Sequence, residues 1–283
     1  MKLRDNCNNL IIRGVYGLLF IATMLGAILL GPYGFGLLQL VIIIGGTLEF
    51  YRMNKIRGYK PHNILGLVSS VLLFALNYDY IFFGGHRLEI VEVAFILTIP
   101  AMFISELFSG SDTPIANLGS TLLALIYVAI PTMLLCNVSV LLGGGEWNAA
   151  LLIAYIVIIW ANDTFAYIVG ITLGSHIMSP RISPKKSWEG FFGGVAAALI
   201  AGILLAHHHE QNCWVWGGMA IIAAVSGVLG DLVESMFKRS VEIKDSGNVL
   251  PGHGGWLDRF DALLISTPVV YAYLYFLHAI EII

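Results

Sequence analysis

Nine long apolar stretches govern what this chain can fold into. They run at about 10–30, 33–53, 63–83, 90–108, 118–142, 149–174, 189–208, 213–238 and 261–281. At about 1.5 Å of rise per helical residue, each is long enough to cross a hydrocarbon core of roughly 30 Å. Gly31-Pro32 breaks the first run from the second, Pro61 precedes the third, and Gly143-Gly144-Gly145 separates the fifth from the sixth. The pattern predicts an all-α, polytopic integral membrane protein. Composition agrees: 58% of the residues are hydrophobic and 12% charged, against roughly 45–50% and 25% in an average soluble domain. A water-soluble globule of 283 residues lacks the interior to hide so many apolar side chains, and a disordered or fibrous chain is excluded outright.

The basic residues orient the helices. With the N-terminus in the cytoplasm, Lys2, Arg4 and Arg13 lie inside, as do Arg52, Lys55, Arg57 and Lys60 after the second helix. Arg181, Lys185 and Lys186 follow the sixth helix, and Lys238, Arg239, Lys244 and Arg259 lie between the eighth and ninth, all inside. Of 15 Lys and Arg, only Arg87 falls outside, as the positive-inside rule requires. The reading is nine helices, N-terminus cytoplasmic and C-terminus outside. The first run has basic residues ahead of it, but it is about 20 residues long, lacks a small-x-small cleavage site and is followed by further apolar segments, so it reads as a transmembrane helix rather than a signal peptide. Compactness and the lack of a targeting segment predict a bacterial inner membrane.

Net charge is −3, which gives no field for nucleic acid. Cys7, Cys136 and Cys213 are scattered, which argues against a disulfide framework or a zinc site. There is no linker, low-complexity tract or repeat. Residues 1–110 are nearly featureless apolar helix, expected to support or dimerise. Residues 111–283 carry the polar chemistry, with cytoplasmic loops at 175–190 and 238–260.

Acidic residues inside apolar spans are costly and default to functional suspects. Asp163 sits in the sixth span; Asp231 and Glu234 share a helix face in the eighth; Asp258 and Asp261, also three apart, open the ninth. Beside them run two polar loops, Ser183-Pro184-Lys185-Lys186-Ser187-Trp188-Glu189-Gly190 and the stretch from Lys238-Arg239 through Lys244-Asp245-Ser246-Gly247 to Asp258-Arg259. Glycines let backbone N–H groups approach an anion, Lys and Arg neutralise phosphate oxygens, and carboxylates suit Mg²⁺. Together they describe a metal–polyphosphate site for phosphoryl or nucleotidyl transfer at the membrane surface. Blander readings stand beside this one. Basic loops are expected from topology alone. Glu49 reads as a packing or helix-end carboxylate, and Asp163 as a cap or structural partner. His207-His208-His209 reads as an interfacial loop, Gly143-Gly144-Gly145 as a turn, and Trp147, Trp214 and Trp216 as an interfacial aromatic belt.

The segment Ser235 to Asp261 resembles the signature of the phosphatidate cytidylyltransferases, also called CDP-diacylglycerol synthases: S-x2-K-R-x4-K-D-x-G-x3-P-G-H-G-G-x2-D-R-x-D, with every fixed position in place. The upstream NDTFAYIVG and ISPKKSWEG segments are similar to two further motifs of that family. Resemblance at this level spans about residues 160–261; the N-terminal helices match only in being hydrophobic. It implies condensation of CTP with phosphatidic acid to CDP-diacylglycerol and pyrophosphate, by attack of the lipid phosphate on the α-phosphorus of CTP. It implies Mg²⁺ on Asp231 and Asp258 with Asp261 in support, and K⁺ as the second ion of a paired-cation site. Lys238, Arg239 and Lys244 are implied as phosphate-binding catalytic residues. Ser183, Lys185, Lys186, His253, Gly254, Gly255 and Arg259 are implied in substrate binding, with Asn162, Asp163, Glu234 and Asp245 behind the ion site. The acyl chains would stay in the bilayer while CTP enters from the cytoplasm, and a homodimer is consistent with the apolar N-terminal helices.

Two alternatives are weighed. A CTP-using kinase of a lipid alcohol, related to dolichol or phytol kinases, would need fewer cations than a phosphate acceptor does; the full signature favours the cytidylyltransferase. The D-G-x2-A-R…G-x3-D-x3-D pattern of CDP-alcohol phosphotransferases is absent. A secondary transporter would show inverted repeats and midplane charges, whereas here the charges gather toward one face and no repeat is found.

Overall fold

A computed structural model describes residues 2–85, 87–247 and 254–282, with side chains from residue 14 onward except inside those gaps. Nine helices run through the described residues: α1 (Lys2–Leu29), α2 (Gly31–Ile56), α3 (Asn63–Phe83), α4 (Glu89–Leu107), α5 (Pro114–Leu142), α6 (Ala149–Leu173), α7 (Trp188–His208), α8 (Cys213–Ser240) and α9 (Leu257–Ala279). From α2 to α9 they are long and apolar enough to cross a membrane, and the apolar part of α1 with described side chains, Gly14–Leu29, is shorter. The chain is thus an all-α polytopic membrane protein. A π-helical turn at Leu125–Ala129 interrupts α5.

The loop expected at 175–190 contains an antiparallel ribbon, β1 (Ile177–Ser179) and β2 (Ser183–Ser187), with Ile177 opposite Ser187 and Ser179 opposite Ser183. Sequence reasoning missed it because neither strand carries an apolar alternation. Ser187 ends β2 and caps α7, its hydroxyl accepting from Gly190 N at 3.1 Å. The Glu189 carboxylate accepts from Ser175 N and His176 N at 3.1 and 3.2 Å, which closes the ribbon's base.

The chain forms two compact units: Met1–Met133 with Ser240–Phe260, and Leu134–Arg239 with Asp261–Ile283. In the first, α2 is the central helix, burying Phe35, Ile42, Ile43, Phe50 and Tyr51. Gly46 brings it against Val128 and Leu257, where a Cβ would meet Val128 at 2.8 Å. Polar groups pin helix ends together. Glu106, 5% exposed, pairs with His62 at 2.7 Å and accepts from Asn117 Nδ2 at 2.8 Å. Asn117 Oδ1 in turn accepts from Lys60 N at 2.7 Å. A buried carboxylate persists in apolar surroundings only with such partners, so this cluster ties the start of α3 to the end of α4 and the start of α5.

In the second unit, small residues set the spacing. Gly190 and Gly194 let α7 lie against α6 at Asn162, Ala166 and Gly170, and Gly202 lets it lie against Ala220. Trp216 does not join an interfacial belt: it is 1% exposed. With Met219, Ala220 and Ala223 it forms the inward stripe of α8 at helical spacing. Trp214, on the opposite face, is exposed as the belt reading expects.

Candidate functional site

In the second unit α8 and α9 approach closely because Gly230 faces the Asp261 carbonyl and Ala262; a Cβ there would overlap the carbonyl oxygen. Gly227, one turn earlier, leaves a Cβ 3.6 Å from Ala262. This approach brings carboxylates together. One oxygen from each of Asp231, Glu234 and Asp261 lies within 4.8 Å of the others. Among the described residues this is the one grouping of His, Cys, Asp and Glu arranged to share an ion. All-oxygen ligands of this kind suit a hard divalent cation such as Mg²⁺, so the residues present fit the ion that the resemblance implies.

Two lysines counter the charge. Lys186, carried by β2, sets its ammonium 2.6 Å from Asp231 Oδ2 and donates to the Val228 carbonyl at 3.2 Å. Lys238 pairs with Glu234 one turn earlier on α8 at 2.5 Å, and both are buried. Ser235 Oγ donates to Asp231 Oδ1 at 3.3 Å. Asp163 of α6 accepts from Asn162 Nδ2 at 3.2 Å and lies within electrostatic reach of Asp231 and Lys186. Asn162 itself is fully buried against Gly194. Lys185 and Arg239 are exposed and Ser183 is half-buried in β2. Of the residues singled out from the sequence, Asp231, Asp261, Lys186, Lys238, Asn162 and Asp163 lie in this unit around the cluster, whereas Asp258, expected as a metal ligand, belongs to the other unit. Glu234 is closer than its expected supporting place, at ligand distance.

The first unit holds the signature loop. Asp258 Oδ2 accepts three hydrogen bonds, from Ser246 N at 3.0 Å, Ser246 Oγ at 2.9 Å and Gly255 N at 2.8 Å. The carboxylate expected as a metal ligand thus fastens both ends of the loop. Gly254 needs to be glycine twice over: its φ is +81°, and a Cβ would meet the Asp258 carboxylate. Arg259 is half-buried next to Trp256, while Lys244 and Asp245 are exposed. The expectation for His253 falls outside the described residues.

Glu49, read from the sequence as a packing or helix-end carboxylate, does sit at a helix end, and that end belongs to the signature loop. Its carboxylate, 2% exposed, reaches from α2 and accepts from Leu257 N, the first amide of α9, at 2.9 Å. A Cβ at Gly247 or Gly255 would overlap Glu49 Oε1. Two signature glycines are therefore explained by a buried carboxylate, and the Gly255 N–H, expected to face phosphate, is spent on Asp258. The one available signal was an acidic residue beside Gly45-Gly46 in an apolar span; its partner, more than two hundred positions away, gave none.

Residues 11–277 match the model of the cytidylyltransferase family. A protein of Bacillus subtilis named phosphatidate cytidylyltransferase is 32% identical over 260 residues, covering 90% of this chain and 94% of the relative. Proteins of the same name from Staphylococcus aureus (strain COL) and Staphylococcus epidermidis (strain ATCC 12228) are each 32% identical over 225 residues, covering 78% of this chain and 82% of theirs.

Proposed function

This chain belongs to the cytidylyltransferase family, and from that premise we propose that it condenses CTP with phosphatidic acid, giving CDP-diacylglycerol and pyrophosphate. The observation that carries the reading is the convergence of Asp231, Glu234 and Asp261 with Lys186 and Lys238 in a chain of membrane-length helices. Oxygen ligands beside ammonium groups suit a polyphosphate and its counter-ion.

Asp231, Glu234 and Asp261 would hold Mg²⁺, which when bound supplies charge neutralisation and alignment for the triphosphate. The protein's own part is positioning. Lys186 and Lys238 each sit on a carboxylate and present ammonium charge to phosphate oxygens as the two anionic reactants are brought together. Lys185, Arg239 and Lys244, exposed as they are, add long-range attraction for CTP. A phosphate acceptor already carries negative charge at neutral pH and needs no general base. The lipid phosphate attacks the α-phosphorus of CTP, one P–O bond forms as another breaks, and pyrophosphate leaves in line. The same reading runs nine spans from a cytoplasmic N-terminus to an outer C-terminus, in the bacterial inner membrane, with CTP arriving from the cytoplasm.

The test uses purified protein in detergent with phosphatidic acid, Mg²⁺ and CTP labelled on the α-phosphate. Label is expected in the lipid phase, and Asp231→Asn or Asp261→Asn is expected to abolish it. Transfer that survives both substitutions would remove the carboxylate cluster from the reaction. Transfer of γ-label to a lipid alcohol instead would make the protein a kinase.

A further inference from the structure

We propose that an apolar pocket between α1, α2 and the start of α9 receives an acyl chain of the phosphatidic acid, with the Arg259 guanidinium on its phosphate. The proposal rests on the reaction assigned above and extends it to the lipid. The pocket lies wholly within the first unit, has a volume of about 140 Å³ and is lined by Leu19, Phe20, Thr23, Leu38, Trp256 and Arg259 among others. Almost every lining group is apolar. Thr23 and Arg259 are the exceptions, and Arg259, the one charged group, is unusual in its own right. It is half-buried and its Nε is wholly shielded. Its side chain has no hydrogen-bond or ion-pair partner among the described residues.

A guanidinium in apolar surroundings without a counter-charge is costly. Every other shielded charge described above has its partner: Glu106 has His62, Glu234 has Lys238, and Asp258 has three donors. Among the described residues nothing supplies that counter-charge, which suits Arg259 to an anion brought by a ligand. A planar fork of N–H donors matches phosphate. The ligand must also be apolar over most of its length, because the walls offer nothing else. Entry from the bilayer fits the adjoining face of α1, where Leu18 and Leu19 are 71% and 58% exposed. An anionic head with an acyl tail meets all three requirements, and the lipid of the proposed reaction has both. Leu19 and Thr23 of α1 and Leu38 of α2 then face the chain itself, which gives the N-terminal helices a part in handling the substrate.

Two measurements on the full chain test this. In phosphatidylcholine vesicles, phosphatidic acid brominated on its acyl chains is expected to quench Trp256 saturably, read as the component of fluorescence missing from Trp256→Phe. Brominated phosphatidylglycerol at the same mole fraction is expected to leave that component unchanged. Equal quenching by both would make the pocket a general lipid contact, and no quenching of folded protein would leave it without a chain; either overturns the proposal. In the kinetic arm, Thr23→Phe narrows the pocket from an exposed position. It is expected to raise KM for long-chain phosphatidic acid about tenfold while leaving KM for CTP, and for dihexanoyl phosphatidic acid, within about twofold. An equal loss with the short-chain lipid would overturn the acyl assignment. If wild-type protein made no CDP-diacylglycerol while Trp256 quenching held, the reaction would fall and the lipid pocket would stand.

Discussion

At the scale of single residues, Glu49 and Lys186 behave in opposite ways. Glu49 supports the signature loop through one acceptor, so its effect follows hydrogen-bond capacity. Glu49→Ala leaves the Leu257 amide buried and unpaired, a cost of about 1–3 kcal/mol, and opens a space beside Gly247 and Gly255. The expected result is a melting temperature lower by several degrees in detergent and transfer activity down at least about tenfold. Glu49→Gln keeps an acceptor and is expected to lie much nearer wild type; activity as low as in the alanine variant would show that the charge itself is needed. Lys186 instead acts by charge, at 2.6 Å from Asp231. Lys186→Met removes a cation from the ion site, so Mg²⁺ is expected to half-saturate the enzyme at lower concentration while kcat falls about a hundredfold. A titration of activity against Mg²⁺ reads both numbers, and half-saturation moving upward would contradict this role. The sequence pointed to Lys186 through its motif and to Glu49 only as a packing or helix-end carboxylate; the fold reveals which helix end, because nothing local marks a partner distant in sequence.

At the scale of elements, the helices were legible and their distances were not. The expected span 63–83 coincides with α3, and those from 33–53 to 261–281 agree with α2 to α9 to within about four residues, whereas α1 starts at Lys2, well ahead of the expected 10–30. Apolar length is written directly in the chain, and the polar first turns of α1 are not part of it. The ribbon β1–β2 escaped because short polar strands lack periodicity, and Trp216 was misread because an aromatic near a helix end looks alike whether it faces lipid or core. Helix spacing rests on single glycines that look alike in sequence. Gly230 and Gly227 both face Ala262, yet a Cβ overlaps the Asp261 carbonyl at the first and sits at ordinary contact distance at the second. Gly230→Ala is therefore expected to push α9 from α8, separate Asp261 from Asp231 and cut Mg²⁺-dependent activity about a hundredfold. Gly227→Ala is expected to stay within about twofold of wild type. Equal effects at the two positions would mean that helix spacing does not set the carboxylate geometry.

For the whole molecule, the decisive quantity is which side of the membrane each end of a helix occupies. The charge pattern assigns Lys186, Lys238 and Arg239 to the cytoplasm, where CTP is made. α8 offers a direct check, since it runs from Cys213 to Ser240. At about 1.5 Å per residue its 28 residues exceed the bilayer core, so Cys213 and Lys238 must emerge on opposite sides. Cys213 is exposed, whereas Cys136 is buried. In a Cys7→Ser, Cys136→Ser background, a membrane-impermeant maleimide is expected to label Cys213 on intact spheroplasts. Labelling only after permeabilisation would invert the topology and set the lysines of the carboxylate cluster on the outer face. CTP is confined to the cytoplasm and cannot cross the bilayer, so an inverted molecule could not carry out the proposed reaction in the cell, whatever it did in detergent. The orientation of one cysteine therefore tests the membrane map and the assigned chemistry in a single experiment.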